Sequence, residues 1–279
     1  MNNAEFSVAI FGGSLAAGLV GSLTGLGGGV VIIPLLTIAF GVDIRYAIGA
    51  SLVSVIATSS GAASAYVREG FSNVRIGMLL EIATAGGALA GAAIAAHVPT
   101  PALAILLGCV LLFSVFAPAH REDPAAQASL DASSWAERLK LNSAYPSHAG
   151  MQRYVVKRVP LGFGLMGIAG MLSGLLGIGS GAVKVLAMDL AMGLPFKVST
   201  TTSNFMIGVT AAASAGVYLH RGYIDPGLAM PVTLGVVAGS LAGARLLAGA
   251  KVRSLRTLFR VVIFALGVEM IYNGWTGRI

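Results

Sequence analysis

Long apolar runs separated by short polar stretches make up most of this chain, and this pattern predicts membrane-spanning helices. Each half of the chain holds five such segments. They cover 6–24, 28–40, 47–67, 75–97 and 101–117 in the first half, and 160–176, 180–192, 199–219, 226–249 and 255–274 in the second. The stretch 118–159 between the halves is long and polar. We interpret it as a solvent-exposed linker with a short helix around Ser134 to Leu141.

The two halves are copies of one unit, since a shift of 152 residues aligns the chain with itself without gaps over most of each half. A glycine triplet, a basic residue and a tyrosine recur in one register, which chance matches in a biased composition do not explain. The matched pairs include Gly25 with Gly177, Gly27 with Gly179, Gly29 with Gly181, Arg45 with Lys197, Ser51 with Ser203 and Tyr66 with Tyr218.

Composition narrows the class of protein further. Of 279 residues, 56% are hydrophobic and 10% are charged, and the mean hydropathy is +0.84. Soluble domains have about 25% charged residues, so this composition argues strongly against a soluble enzyme. Long uninterrupted runs favour helices over the alternating strands of a membrane barrel. The protein is therefore expected to lie in the lipid bilayer. Its net charge of +7 is then interpreted through the side of the membrane on which each basic residue lies, and not as a sign of nucleic-acid binding.

Counting lysine and arginine gives the topology. With the linker in the cytoplasm, thirteen basic residues lie on its side and three lie opposite, and such a bias is typical of inner-membrane proteins. The thirteen are Arg68, Arg75, Arg121, Arg138, Lys140, Arg153, Lys157, Arg158, Lys197, Lys251, Arg253, Arg256 and Arg260, and the three are Arg45, Arg221 and Arg278. This assignment puts both termini outside and gives the two copies opposite orientations.

The predicted fold is thus an all-α polytopic membrane protein with two inverted repeats. Its parts are a first transmembrane repeat (1–117), a cytoplasmic linker (118–159) and a second transmembrane repeat (160–279). Inverted repeats are common in secondary transporters, whose substrate sites lie near the bilayer midplane between the repeats.

The second segment of each half has about 13 residues, or about 20 Å of helix, against a hydrocarbon core of roughly 30 Å. We therefore expect re-entrant or broken helices here. A glycine cluster precedes each one, at 25–29 and at 177–181. Glycine lets an anion approach the unpaired amides of a helix start, so two such starts predict an anion site. The alternative is that these glycines only allow tight helix packing.

Glycines inside the long segments favour that packing interpretation. Gly87 and Gly91 in one half, and Gly239 and Gly243 in the other, recur at helical spacing. Since packing can often absorb one methyl group, we expect Gly87→Ala to be mild.

Polar residues in apolar surroundings complete the predicted site. Lys184 lies inside an apolar segment, where it contacts an anionic substrate, pairs with Asp189 or extends its ammonium to the membrane interface. Asp189 and Glu81 are candidates for carrying a coupling ion, a proton or sodium. The predicted substrate-binding residues are Gly25, Gly27, Gly28, Gly29, Ser51, Gly177, Gly179, Ser180, Gly181, Lys184, Thr201, Thr202, Ser203 and Asn204. For the run that ends in Asn204, capping and bonding to backbone carbonyls is the alternative.

Enzyme chemistry has little support in the sequence. The single cysteine, Cys109, forms no intrachain disulfide, and no Cys/His spacing predicts a metal site. The glycine clusters lack the lysine-serine ending of a phosphate-binding loop. We therefore expect no catalytic residues, no metal and no cofactor.

The element Gly25–Pro34, repeated in part at Gly177–Gly181 after a basic linker, resembles the sulfite exporter TauE/SafE family, also described as toluene-sulfonate uptake permeases. The resemblance covers both halves. Ser180 replaces a glycine of the second cluster, and Leu186 stands where the proline would repeat. The resemblance implies transport of sulfur-containing anions, such as sulfite and organosulfonates, across the cytoplasmic membrane.

The expected function is accordingly a secondary transporter that exports a small sulfur-containing anion by alternating access. Two alternatives remain open at this point, an anion channel and an uptake permease for another oxyanion such as sulfate or thiosulfate. The sequence does not indicate an oligomeric state.

Overall fold

The computed structural model describes residues 3–22, 28–68, 72–116, 134–147, 150–247 and 252–278, and it is mostly helical. The first half holds α1 (Asn3–Ser22), α2 (Gly29–Pro34), α3 (Ile44–Arg68), α4 (Val74–Ala95) and α5 (Thr100–Phe116). Next come α6 (Ser134–Arg138) and two strands, β1 (Ser143–Ser147) and β2 (Gly150–Tyr154). The second half holds α7 (Val159–Leu176), α8 (Gly181–Leu186), α9 (Phe196–His220), α10 (Pro226–Leu247) and α11 (Val252–Thr276).

Each long helix lies within a few residues of the apolar segment that predicts it. Helices are the expected form because an apolar segment in lipid must satisfy its backbone hydrogen bonds internally. Within the part of the chain that the structure describes, three helical stretches are long and apolar enough to cross a membrane, namely Val74–Ala95, Val159–Leu176 and Pro226–Gly243. Shorter apolar stretches cover Glu5–Leu19, Gly29–Ala39, Ile44–Ser60 and Thr100–Phe116. The prediction of a helical membrane protein is confirmed.

The two short helices continue into matching π-helical turns. Leu35–Ala39 follows α2 and Ala187–Ala191 follows α8, and these turns are again 152 positions apart. Gly41 and Gly193 come soon after the turns, with left-handed φ angles of 65° and 68° that favour glycine. The offset found in the sequence therefore recurs in the backbone conformation.

The long helices pack in pairs that each take one helix from each half. α1 packs most extensively against α10, α7 against α4, α5 against α11 and α3 against α9. Glycines bring these backbones close together. The backbone of Gly87 lies against the carbonyl of Gly167, and at the matching positions Gly239 lies against the carbonyl of Leu15. This agrees with the packing interpretation of the glycines in the long segments.

The third helices of the two halves, α3 and α9, run antiparallel. Gly49, near the start of α3, lies against Tyr223, which follows the end of α9. Further along α3, the Ser59 side chain lies against Gly208 in the middle of α9. The start of α3 and the end of α9 therefore share one end of the bundle, and the end of α3 and the start of α9 share the other.

The linker differs from its prediction. A helix is confirmed at Ser134–Arg138, but the following residues form an antiparallel hairpin, so the fold is not purely helical. Five linker residues are buried and belong to one apolar cluster with side chains of α4, α7 and α9: Ala136, Leu141, Tyr145, Tyr154 and Val156. The expectation of solvent exposure is wrong for these five residues. Their apolar side chains are too widely spaced among polar ones to stand out in the sequence.

Asn73, just before α4, joins this hairpin to the helices. Its side-chain nitrogen donates to the Tyr154 hydroxyl at 2.7 Å and to the Leu141 carbonyl at 3.0 Å. Its backbone amide donates to the Thr202 hydroxyl in α9 at 3.0 Å. Burial raises the pKa of Tyr154, against the smaller opposing effect of its hydrogen bonds with Asn73 and Ser143. The hairpin therefore packs at the bundle end where α3 ends and α9 begins.

Candidate functional site

The two glycine-led segments meet in the middle of the bundle. The Ser51 hydroxyl in α3 donates to the carbonyl of Gly177 at 2.9 Å. Gly29, the first residue of α2, lies against both partners, because a Cβ atom built there would be 2.6 Å from Ser51 Oγ and 3.4 Å from the Gly177 oxygen. Gly28 precedes α2, while Gly25 and Gly27 lie outside the described residues. The structure thus brings Gly29, Ser51 and Gly177 together.

The second glycine cluster has a backbone that few residues other than glycine adopt. Gly177 and Gly179 have φ angles of 64° and 69°, and Ser180 has 43°. The Ser180 hydroxyl donates to the carbonyl of Ala169 in α7 at 2.7 Å, a bond that holds the turn against that helix. Gly181 begins α8 directly afterwards. The predicted residues of this cluster form one tight turn.

Lys184, in α8, is completely buried. Its Nζ donates to the Thr210 hydroxyl in α9 at 2.6 Å, and that hydroxyl donates to Glu81 Oε1 in α4 at 2.7 Å. Glu81 is also buried, and within the described part of the chain its Oε2 has no hydrogen-bond partner. A buried ammonium needs a compensating partner. Glu81 supplies that charge through Thr210, and we call these three residues the charged centre.

The three positions that match the charged centre at the repeat offset carry no charge. By the 152-residue offset, Ile32 matches Lys184, Thr58 matches Thr210, and Thr233 matches Glu81. The Thr58 hydroxyl donates to the carbonyl of Ser54 within its own helix at 3.0 Å. The charged centre therefore breaks the symmetry that the backbone keeps.

The polar run at the start of α9 does not form one surface, because the helix directs its side chains to different neighbours. Thr201 donates to a carbonyl of its own helix at 2.9 Å, as the backbone-bonding alternative predicts. Thr202 accepts the amide of Asn73 at the hairpin. Ser203 donates to the carbonyl of Gly181 at 3.3 Å and so joins the glycine-led segments.

Of the remaining predicted residues, Asn204 is buried one position beyond Ser203, and Asp189 is buried in the π-helical turn after α8. Lys184 takes Glu81 as its acidic neighbour, so the predicted pairing with Asp189 is not the arrangement observed. Thr210 is absent from the predicted site. Its match to Thr58 at the repeat offset was the one available signal.

A small cleft lies beside the second glycine cluster. Ile178, Ser180, Gly181 and Val183 line one wall, and Val30 belongs to the first half. Its surface is mostly apolar. Among the described residues, no group of three or more His, Cys, Asp or Glu side chains could hold a metal ion.

Known proteins resemble the chain over nearly its whole length. Residues 10–270 match the sulfite exporter TauE/SafE family. The chain is 26% identical over 274 residues to probable membrane transporter protein YunE of Bacillus subtilis (strain 168), covering 93% of this chain and 95% of that protein. It is 27% identical over 229 residues to probable membrane transporter protein YdhB of the same strain, covering 82% and 85% respectively. No solved structure matches it.

The apolar helices and these relatives together define the class of protein, a helical membrane transporter. Within that class, the chain belongs to the sulfite exporter TauE/SafE family. The resemblance noted in the sequence is confirmed.

Proposed function

We propose that this protein is a secondary transporter that exports a small sulfur-containing anion, such as sulfite or an organosulfonate, across the cytoplasmic membrane. The observation that carries the proposal is the buried Lys184 ammonium, one helical turn beyond the start of α8 and beside the junction of the glycine-led segments. The family's name supports the class of substrate.

In this proposal the anion binds between the starts of α2 and α8. The backbone amides of a first helical turn have no partner within the helix and carry a partial positive charge. Gly29 and Gly181, the first residues of these helices, have no side chain of their own that would lie between these amides and a ligand. Ser51 and Ser203 place hydroxyl groups beside them. Lys184 adds the full positive charge that selects an anion.

The charged centre supplies a mechanism for exchange. An arriving anion competes with Thr210 and Glu81 for the Lys184 ammonium, and release of the anion returns the ammonium to them. The inside-negative membrane potential drives an anion outward, which favours export. If Glu81 takes up a proton or sodium whenever the anion holds Lys184, an inward ion gradient instead drives uptake. Glu81 is thus the proposed coupling residue, and the coupling decides the direction.

Alternating access in this proposal uses two inverted repeats that move against each other around the central site. The antiparallel run of α3 and α9 and the exchange of partners between α1 and α7 support such a pseudo-two-fold relation. The hairpin end is proposed to face the cytoplasm and the opposite end the outside, in keeping with the positive-inside count.

Transport in proteoliposomes tests the proposal. Wild-type protein should take up sulfite with saturable kinetics and show counterflow, whereas linear flux without counterflow would indicate a channel. Thiosulfate, sulfate and an arylsulfonate complete the panel. Imposed potentials and pH gradients separate potential-driven export from proton-coupled uptake. Lack of transport of all four anions would overturn the proposed substrate class.

A valine substitution at Gly179 tests the site within the same assay. A Cβ atom there would be 2.9 Å from the Ile207 side chain, and the left-handed backbone excludes a branched residue. Transport should be lost. Gly164→Val in α7 is the matched control, since nothing lies within 4 Å of its Cβ position. Equal activity of the two variants would place the anion elsewhere.

Sidedness is tested by cysteine labelling in a Cys109→Ser background, because the native thiol is exposed. A membrane-impermeant reagent applied to intact cells should label a cysteine at position 278 and should not label one at position 130. The opposite labelling would contradict the proposed orientation.

A further inference from the structure

A second cluster of positive charge lies far from the charged centre, at the bundle end where α3 begins and α9 ends. Arg45 and Arg221 line a narrow cleft there, together with Tyr218, Tyr223 and the end of α4. The Arg45 guanidinium lies over the Tyr223 ring, 6.0 Å from its centre. This cleft is at the opposite end of the bundle from the hairpin, and the proposed transport site does not include it.

Both guanidinium groups have donors to spare. Arg45 Nη2 donates to the carbonyl of Val98 at 2.9 Å, and its buried Nε has no partner in the described part of the chain. Arg221 Nη1 is shared between the carbonyls of Ala92 and Ala93, at 3.2 and 3.1 Å. These contacts stabilise the C-terminus of α4, but each guanidinium carries five N–H donors. Helix capping therefore accounts for only part of their bonding capacity.

The nearby carboxylates are engaged with the backbone. Asp43 Oδ1 accepts the backbone amide of Arg45 at 2.8 Å, and Asp225 Oδ1 accepts the amide of Gly227 at 2.7 Å. Within the described residues, the hydrogen bonds of both guanidinium groups go to backbone carbonyls and none goes to a carboxylate. Two like charges thus face one small cleft, where the field favours an anion.

The positions that match Arg45 and Arg221 at the repeat offset do not repeat this pair. At the matching positions it has Lys197 for Arg45 and Glu69 for Arg221, so one of the two positive charges is replaced by a negative one. The arginine pair is therefore a feature of one end only and does not follow from the duplication.

We propose that Arg45 and Arg221 form a second anion-binding site, which captures a small oxyanion at the mouth of the transporter before it reaches, or after it leaves, the central site. The proposal rests on the proposed function for its role in transport, but its anion binding is measurable separately. The planar donor forks suit an oxyanion such as sulfite or sulfate.

Isothermal titration of the purified full chain with sulfate and with sulfite tests binding directly. The comparison is made in a Lys184→Met/Glu81→Thr background, which removes the central cation together with its buried counter-charge. Adding Arg45→Gln and Arg221→Gln should weaken the remaining binding by about ten-fold, because glutamine keeps a donor for the carbonyls but removes the charge. Equal binding with and without these two substitutions overturns the second site, and so does a lack of binding in the Lys184→Met/Glu81→Thr protein when cooperative thermal unfolding shows that it is folded.

Sulfite transport by the otherwise wild-type protein gives an independent measurement. The Arg45→Gln/Arg221→Gln variant should show a KM raised about ten-fold, an unchanged kcat and a weaker dependence on ionic strength. Arg278→Gln is the matched control, since Arg278 is exposed and lies over the Tyr272 ring at 5.7 Å. A wild-type KM in the double variant overturns the capture role. If the wild-type protein binds sulfite but does not transport it, the result counts against the proposed function alone.

Discussion

The two halves of this transporter share a backbone and differ in chemistry at its centre. Both have a six-residue helix that continues into a π-helical turn. The pair of α4 and α7 and the pair of α1 and α10 meet at glycines in matching positions, Gly87 and Gly239. Yet the first half has Ile32 where the second has Lys184, and Thr233 stands where Glu81 supplies the opposite charge. The two halves therefore share these backbone features, and the ionisable groups lie at positions where their sequences differ.

The π-helical turns show how little the backbone depends on single side chains. Pro34 precedes the first turn and lacks an amide, which would be a sufficient reason for an irregular helix. Leu186 precedes the second turn and has its amide, and the same turn follows. The shared features are the left-handed glycines Gly41 and Gly193 and the amides after them, which bond to carbonyls six residues back. The end of the segment fixes this geometry.

The largest expected effect comes from replacing the residues of the charged centre by those at the matching positions. Lys184→Ile leaves Glu81 buried without its cation, which should destabilise the protein by about 3–5 kcal/mol and abolish transport. Adding Glu81→Thr gives the uncharged set found at the matching positions, where Ile32 and Thr233 stand, and thermal unfolding in detergent should show most of the stability regained. Sulfite transport should remain absent in the double variant.

Two outcomes would contradict this prediction. If the double variant is no more stable than Lys184→Ile alone, Glu81 and Lys184 are not coupled through Thr210. If Lys184→Ile transports sulfite like wild type, the charged centre is not the transport site, and the asymmetry between the halves has another role.

A smaller effect is expected where the halves agree. A Cβ atom on Gly87 would overlap the carbonyl of Gly167, so Gly87→Ala should cost about 1–3 kcal/mol of stability, in contrast to the mild effect expected from sequence. Gly239→Ala, against the carbonyl of Leu15, should cost a similar amount. The neighbouring Gly86→Ala is the control, because nothing lies within 4 Å of its Cβ position. Equal melting temperatures for the Gly86 and Gly87 variants would contradict the close approach.

The smallest effect distinguishes the two bundle ends. Asn73 and Asp225 occupy matching positions before α4 and α10, and each accepts a backbone amide with its side chain. Asn73 also holds the hairpin, so Asn73→Ala should cost about 1–2 kcal/mol and Asp225→Ala less. Unfolding midpoints measure both. A greater loss of stability for Asp225→Ala would mean that the hydrogen bonds between Asn73 and the hairpin do not stabilise the protein.

Sequence periodicity predicts the helices well here because the apolar runs are long and the duplication confirms each boundary twice. The glycine cluster before the second short segment is visible in the sequence, and the left-handed Gly177 and Gly179 belong to it. The charged centre could be predicted only in part. Lys184 is conspicuous in an apolar run, but its neighbour Glu81 is remote in the chain, and periodicity carries no information about contacts between halves. Asp189, five residues away, was the nearer but incorrect partner.

The hairpin was missed for a different reason. Its buried side chains, such as Tyr145 and Tyr154, are dispersed in a polar stretch, and their rings meet only when the strands pair, with centres 6.2 Å apart. Neither a two-residue nor a 3.6-residue period dominates that stretch. Composition alone therefore indicated a solvated linker.

The exchange of partners between the halves also imposes an order on biosynthesis. α1 is the first helix to leave the ribosome, but its main partner α10 begins at Pro226, and α4 must wait for α7. Because synthesis adds roughly 5–20 residues per second, the face of α1 that packs against α10 stays unpaired in the membrane for about ten seconds or more. The first half therefore cannot assemble as a finished unit. A chain that stops before α10 leaves α1 without its main partner and exposes that face to quality-control proteases.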